Sequence, residues 1–96
     1  MVLVNCQWRQ KDIIQRIEEI EYRGIQIFKH IKTDGMRMYF ESKVADEIRD
    51  FDKSSIKEYM LIMDAIMQIE GWQALAISIL PVINGSVFEG YKYKNI

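Results

Sequence analysis

The chain carries one cysteine, Cys6, one histidine, His30, and one proline, Pro81, among its 96 residues. A single thiol excludes an intrachain disulfide, and a structural zinc site lacks the several Cys and His ligands it would need. Charge of neither sign prevails. With 13 basic and 14 acidic side chains and a formal net charge of −1, the whole molecule has no electrostatic pull toward nucleic acid or an anionic membrane. No apolar run reaches the roughly eighteen residues of a membrane-crossing helix. Met1–Cys6 is too short for a secretory signal and is not preceded by a basic segment. A glycine-rich phosphate loop, a clustered Ser/His/Asp set, internal repeats and low-complexity tracts are likewise missing from the sequence. These absences lead to the expectation of one domain over residues 1–96, soluble and cytoplasmic, with no cofactor and no membrane partner. An apolar fraction of 49% and a charged fraction of 28% are ordinary for a globular chain.

What is present is most explicit over Gly24–Ser42, GIQIFKHIKTDGMRMYFES, where two alternating runs flank Asp34-Gly35. That dipeptide is a strong signal for a two-residue hairpin turn. A turn centred on it pairs Thr33 with Met36, Ile31 with Met38 and Lys29 with Phe40 on one face. Lys32 with Arg37, His30 with Tyr39, and Phe28 with Glu41 fall on the other. The expected inner residues are Ile25, Ile27, Ile31, Met36, Met38 and Phe40. Lys29 sits awkwardly among them, which calls for either an edge lysine whose stem lies along the sheet or a different register.

Around this hairpin the periodicity changes several times. Val2, Val4, Cys6 and Trp8 alternate as in a first strand. From about Gln10, Ile13, Ile14, Ile17 and Ile20 fall at helical spacing, supported by the i,i+4 pairs Asp12–Arg16 and Glu19–Arg23, with Gly24 as a left-handed cap. Ser42 caps a short helix over Lys43–Phe51. The capping-box spacing Ser55-Ile56-Lys57-Glu58 starts a longer helix with a buried stripe of Ile56, Tyr59, Met60, Met63, Ile66 and Met67, ending at Gly71. Gln73–Ile83 (QALAISILPVI) reads as strand or buried helix. Asn84-Gly85, a second hairpin turn before Ser86–Lys94, favours strand. The resulting order, βαββαβ plus an extra C-terminal strand, predicts a ferredoxin-like α+β sandwich with helices on one face of a mainly antiparallel sheet. A mainly helical fold with one β-hairpin is the alternative.

Several residues could carry chemistry. His30 lies mid-strand with no carboxylate directly opposite, which favours a packing role over acid–base catalysis. Cys6 alternates with Val4 and Trp8 as a buried strand cysteine does, and nothing in the spacing brings His30 to it. Asp46 and Asp50 lie four apart in the cluster Asp46, Glu47, Asp50, Asp52, so they could share a divalent ion on one helical face. The pairs Lys43–Glu47 and Asp46–Arg49 instead favour a solvated, ion-paired face. Met60, Met63 and Met67, with Met36 and Met38, read as gap-filling core in preference to an adaptable partner groove. Phe28, His30, Lys32, Arg37 and Tyr39 share the outer sheet face in the predicted register, and Tyr91, Lys92, Tyr93 and Lys94 form a second aromatic and basic group. Such faces hold single-stranded nucleic acid when aromatics stack on bases, but MRMYFES lacks the aromatic strand motif of RNA-recognition domains.

Ser86–Tyr91, SVFEGY, resembles a phrase of a family of small, ferredoxin-like CRISPR-associated proteins. The likeness spans six residues, and the first strand, VLVNCQW, has no aspartate where that family's metal-binding residue is expected. No function is transferred from it. The expectation is a non-enzymatic protein–protein interaction or regulatory module that self-associates through the sheet face bearing Phe28, His30, Lys32, Arg37 and Tyr39. The alternative is a single-stranded nucleic-acid-binding module using the same face, and a small metal-dependent enzyme is a third reading.

Overall fold

A strand with no solvent-facing side needs apolar residues in succession, and Val2, Leu3 and Val4 are all buried. They form β1 (Val2–Asn5), the middle of a five-stranded sheet in a computed structural model that describes residues 1–72 and 77–91. After β1 come α1 (Gln10–Glu18), a two-stranded ribbon of β2 (Glu21–Tyr22) and β3 (Ile25–Gln26), then β4 (Phe28–Asp34) and β5 (Arg37–Ser42). Helices α2 (Val44–Glu47) and α3 (Phe51–Met67) precede β6 (Ser78–Ile83) and β7 (Ser86–Val87). The large sheet runs β4-β5-β1-β6-β7 with each pairing antiparallel. The fold is therefore α+β, a mainly antiparallel five-stranded sheet with three helices, and the mainly helical alternative is set aside. Gln73–Ile83 resolves into strand β6 over its second half, while residues 73–76 lie outside the described residues.

One face of the sheet carries the core. Val2, Val4, Met38, Phe40, Phe28 and Ile79 meet Ile13 and Ile17 of α1, Ile62 and Ile66 of α3, and Val44 of α2. Burying an aliphatic or aromatic side chain of this size stabilises by about 1.5–3 kcal/mol. Alternation along β1 places Leu3 on the opposite face, between Tyr39 and Leu80 on the neighbouring strands.

The hairpin forms, with a turn one residue later than expected. Asp34 pairs with Arg37, so Gly35 and Met36 make the loop. Gly35 has φ +60° and Met36 is not among the positive-φ residues, the sign pattern of a type II′ turn, which wants glycine first. The tip is fastened from outside the hairpin. The Cys6 amide donates to the Met36 carbonyl at 2.8 Å, and the Gln10 side-chain amide donates to the carbonyls of Gly35 and Cys6, each at 2.8 Å.

The later turn pairs Thr33 with Met38 and Lys32 with Tyr39. Relative to the predicted pairing this is a slip of two residues, which changes partners and leaves faces as they were. The faces change at a bulge. Ile31 is the extra residue between the His30–Phe40 and Lys32–Tyr39 pairs, and beyond it Phe28 and His30 turn to the helix side while Lys29 turns out, opposite Glu41. The awkward lysine is thereby resolved: fully buried Phe28 takes the core position, and Ile31 is exposed. Ile25 and Met36, also expected inside, are exposed as well.

The helices depart from the sequence pattern at their ends. Helix α1 stops at Glu18, and Gly24 is not its cap. It forms with Arg23 the positive-φ turn between β2 and β3. Asp12 pairs with Arg9 at 2.6 Å, an i,i+3 contact at the helix start, and Glu47 with Arg23 at 3.4 Å, a contact across loops that local spacing does not reveal. Helix α2 is a single turn, started by the Ser42 hydroxyl accepting from the Val44 amide. Helix α3 begins four residues before Ser55, capped by the Asp50 carboxylate accepting from the Lys53 amide. It ends at Met67, short of Gly71. Asn84-Gly85 makes the expected tight turn, both residues having positive φ.

Candidate functional site

The expected interaction face is divided between two sides of the sheet. Lys32, Arg37 and Tyr39 lie on the side away from the helices, while Phe28 is fully buried in the core. His30 packs on Phe40 with ring centroids 5.4 Å apart, and its Nε2 lies 2.7 Å from the Thr33 hydroxyl. The His30 backbone amide donates to the Glu18 carboxylate of α1 at 3.1 Å. That bond, the bulge at Ile31 and outward Lys29 and Lys32 are the devices that blunt an edge strand against pairing with another chain. The β4 edge is thus poorly suited to strand addition.

On the open face, Tyr39 is bracketed by cations. The Lys32 ammonium stands 5.0 Å from its ring centroid. The Arg37 guanidinium is raised above its usual pKa, first by a hydrogen bond with Tyr39 and also by the charges of Glu89 and Asp34. Arg37 lies 3.7 Å from the Glu89 carboxylate, and Lys29 stands opposite Glu41. Arg37 and Lys29 have acidic neighbours, and the two other aromatic members of the predicted stacking surface, Phe28 and His30, are on the far side. Tyr91 belongs elsewhere, in a cluster with Phe51 and Phe88 whose centroids lie 5.8–6.2 Å apart. Lys92, Tyr93 and Lys94 lie outside the described residues.

The catalytic and metal candidates are not assembled. Cys6 is buried, its Sγ accepting from the Trp8 amide at 3.3 Å, while the His30 ring is engaged with Thr33 and Phe40. Because α2 ends at Glu47 and Asp50 caps α3, Asp46 and Asp50 do not share a helical face. Among the described residues, no group of three or more His, Cys, Asp or Glu side chains is placed to hold a metal ion.

The surface that stands out is the outer side of α3. Sequence periodicity put Met60 and Met67 in the core, yet they are 48% and 52% exposed. The helix is rotated from the expected stripe: Ser55, Glu58, Ile62 and Ile66 face inward. Ser54 at the helix start is buried as well, its hydroxyl donating to the Phe51 carbonyl at 3.1 Å. The stripe that results, Lys57, Met60, Asp64 and Met67, faces out with Met63 and Leu61 beside it, lining an open apolar groove of about 480 Å³. Lys57 is held at one end by its ammonium, 5.0 Å over the Tyr22 ring. The missed signal is legible afterwards. Ile62 joins the expected Ile66, with Ser55 and Glu58, in an i, i+3, i+4 series, and only the charge of Glu58 argued against that face.

Comparison with protein-family models, with curated proteins and with solved structures finds no match.

Glu58 is the price of that rotation. Its side chain is 6% exposed, and its Oε2 has no hydrogen-bond partner. Burial pushes its pKa up to about 7, against the smaller lowering effects of the N-terminal ammonium and a hydrogen bond with Ser42.

Proposed function

We propose that this chain is a ferredoxin-like, non-enzymatic protein-interaction module whose contact surface is the outer face of α3. The plan is supported by strand order β4-β5-β1-β6, antiparallel throughout, with α1 and α3 packed on one side. The functional reading rests on one observation: Met60, Met63 and Met67 line an exposed apolar groove on a helix whose opposite side already fills the core. Unbranched thioethers repack at low cost, which suits them to contact with another polypeptide. An exposed apolar strip of this kind gains from being covered. The sheet face is a weaker candidate, since its most apolar residue, Leu3, is already 1% exposed and Tyr39 lies between two cations.

Replacement of the methionines by a photoactivatable diazirine analogue tests this reading. On irradiation in cell extract, mass spectrometry should map polypeptide adducts to Met60, Met63 and Met67, and the Met60→Glu change should remove them. Adducts confined to Met1 and Met36, or none with polypeptide, would overturn it.

A further inference from the structure

We infer that the outer face of α3 is a self-complementary surface on which a second copy of the same chain packs, the two α3 helices antiparallel about a twofold axis between Met60 and Leu61. The inference rests on the interaction reading above and adds its occupant.

Lys57 and Asp64 are seven residues apart, two turns on one helical face and about 10 Å along the axis. Both line the same groove, with Met60 between them. The face is therefore basic at one end, apolar in the middle and acidic at the other. A twofold axis between residues 60 and 61 sends position 57 of one copy onto position 64 of the other, and the reverse. Two Lys57–Asp64 pairs then flank a central contact of Met60 with Leu61, each occurring twice as an isologous interface requires. The same operation lays Met67 of one copy near Lys53 of the other, where the aliphatic lysine stem offers an apolar surface.

Within the single chain Lys57 rests over the Tyr22 ring, whereas the charge of Asp64 has no partner on its own helix. Asp64 stands in the last turn of α3, where the helix dipole disfavours a carboxylate, and the helix has no basic residue in that turn. Its neighbours at i−4, i−3, i+3 and i+4 are Met60, Leu61, Met67 and Gln68, so no intrahelical cation offsets it. It makes no ion pair among the described residues. Lys57, in the second turn of α3, lies beyond the reach of the N-terminal dipole. An antiparallel neighbour offsets the penalty on Asp64: Asp64 gains a lysine, Lys57 gains a carboxylate, and the two dipoles oppose. Helices packed this way approach to about 8–10 Å, close enough for these side chains to meet.

Charge exchange tests the geometry. Sedimentation equilibrium of the purified native chain, from low micromolar to millimolar concentration, should give a monomer–dimer equilibrium. Lys57→Glu alone and Asp64→Lys alone each place like charges at both flanking contacts and should weaken dimerisation by about tenfold or more. Mixed in equal amounts, the two variants should recover the native affinity as a heterodimer, because each mismatch is then an opposite-charge pair. Met60→Glu should leave a monomer, with Met67→Glu as the second variant should Met60→Glu alter the circular dichroism. A native chain that stays monomeric at millimolar concentration overturns the inference, as does an equimolar mixture no tighter than either variant. Polypeptide adducts at the α3 methionines in extract, combined with a monomeric pure chain, would retain the interaction reading and reject the second copy. Absence of such adducts rejects the interaction reading itself.

Discussion

Glu58 is where proton concentration couples to folding. Its ordinary pKa of 4.5 is raised to about 7 by burial, so the folded chain holds a proton that the unfolded chain releases over the interval between those values. Below the lower value both states are protonated and the residue contributes no pH dependence. As pH rises toward about 7 the unfolded state gains, and stability falls, levelling off once the folded carboxyl is also ionised. The full effect is on the order of 3 kcal/mol as an upper bound. Glu58→Gln keeps the shape and removes the ionisation. Urea unfolding should therefore show the variant more stable than native at about pH 8 and indistinguishable from it at about pH 4. A native stability profile flat between those two conditions would contradict the buried placement of this carboxyl.

At the scale of elements, a single bulge decides which residues of β4 belong to the core. Regular alternation gives Ile31 an inner position and Phe28 an outer one, and the extra residue at Ile31 exchanges them. Phe28→Ala should thus cost about 3–5 kcal/mol, as deletion of a buried aromatic ring does, while Ile31→Ala should stay within about 0.5 kcal/mol. Chemical denaturation of the two variants checks this directly. The reverse order would restore the simple hairpin register. The bulge could not be read from the strand itself because β4 is apolar and polar in almost equal measure on either assignment. Its cause lies in α1, whose Ile13 and Ile17 offer an apolar surface and whose Glu18 takes the His30 amide. The same limit applied to α3, where both faces carry apolar residues at helical spacing. Hydrophobicity alone prefers Met60 and Met67 inside, but the core takes Ile62 beside the expected Ile66, and Met60 and Met67 are left to solvent.

At the scale of the whole molecule, one side of the sheet is packed by helices, the other sets buried Leu3 beside Leu80 and the cation-flanked Tyr39, and an exposed apolar excess lies on the outside of a helix. Binding to the folded form alone raises apparent stability by mass action. If α3 of a second copy covers that excess, the thermal midpoint should rise with protein concentration in the native chain and become independent of concentration in Met60→Glu. Calorimetry over a hundredfold concentration range would measure it. A native midpoint independent of concentration would count against the dimer.

The sequence by itself determined the local pieces. A run of apolar residues made β1, alternation made β5, 3.6-residue periodicity made α1 and α3, and glycine with its neighbour made the turns at Gly35 and Gly85. Together these were enough to establish an α+β chain with helices on one side of an antiparallel sheet. Tertiary structure decided how those pieces are rotated and joined. The tip of the β4–β5 hairpin is set by bonds from Cys6 and Gln10, the β4 face by the bulge against α1, and the α3 face by the packing of Ile62 and Ile66 into the core. Backbone preference acts over a few residues, so it fixes turns and periods. A face is chosen by what lies opposite, and for β4 and α3 the opposing surface comes from distant parts of the chain. For that reason the expected site on Phe28, His30, Lys32, Arg37 and Tyr39 was divided by the fold, and the methionine face emerged only when the helix was docked.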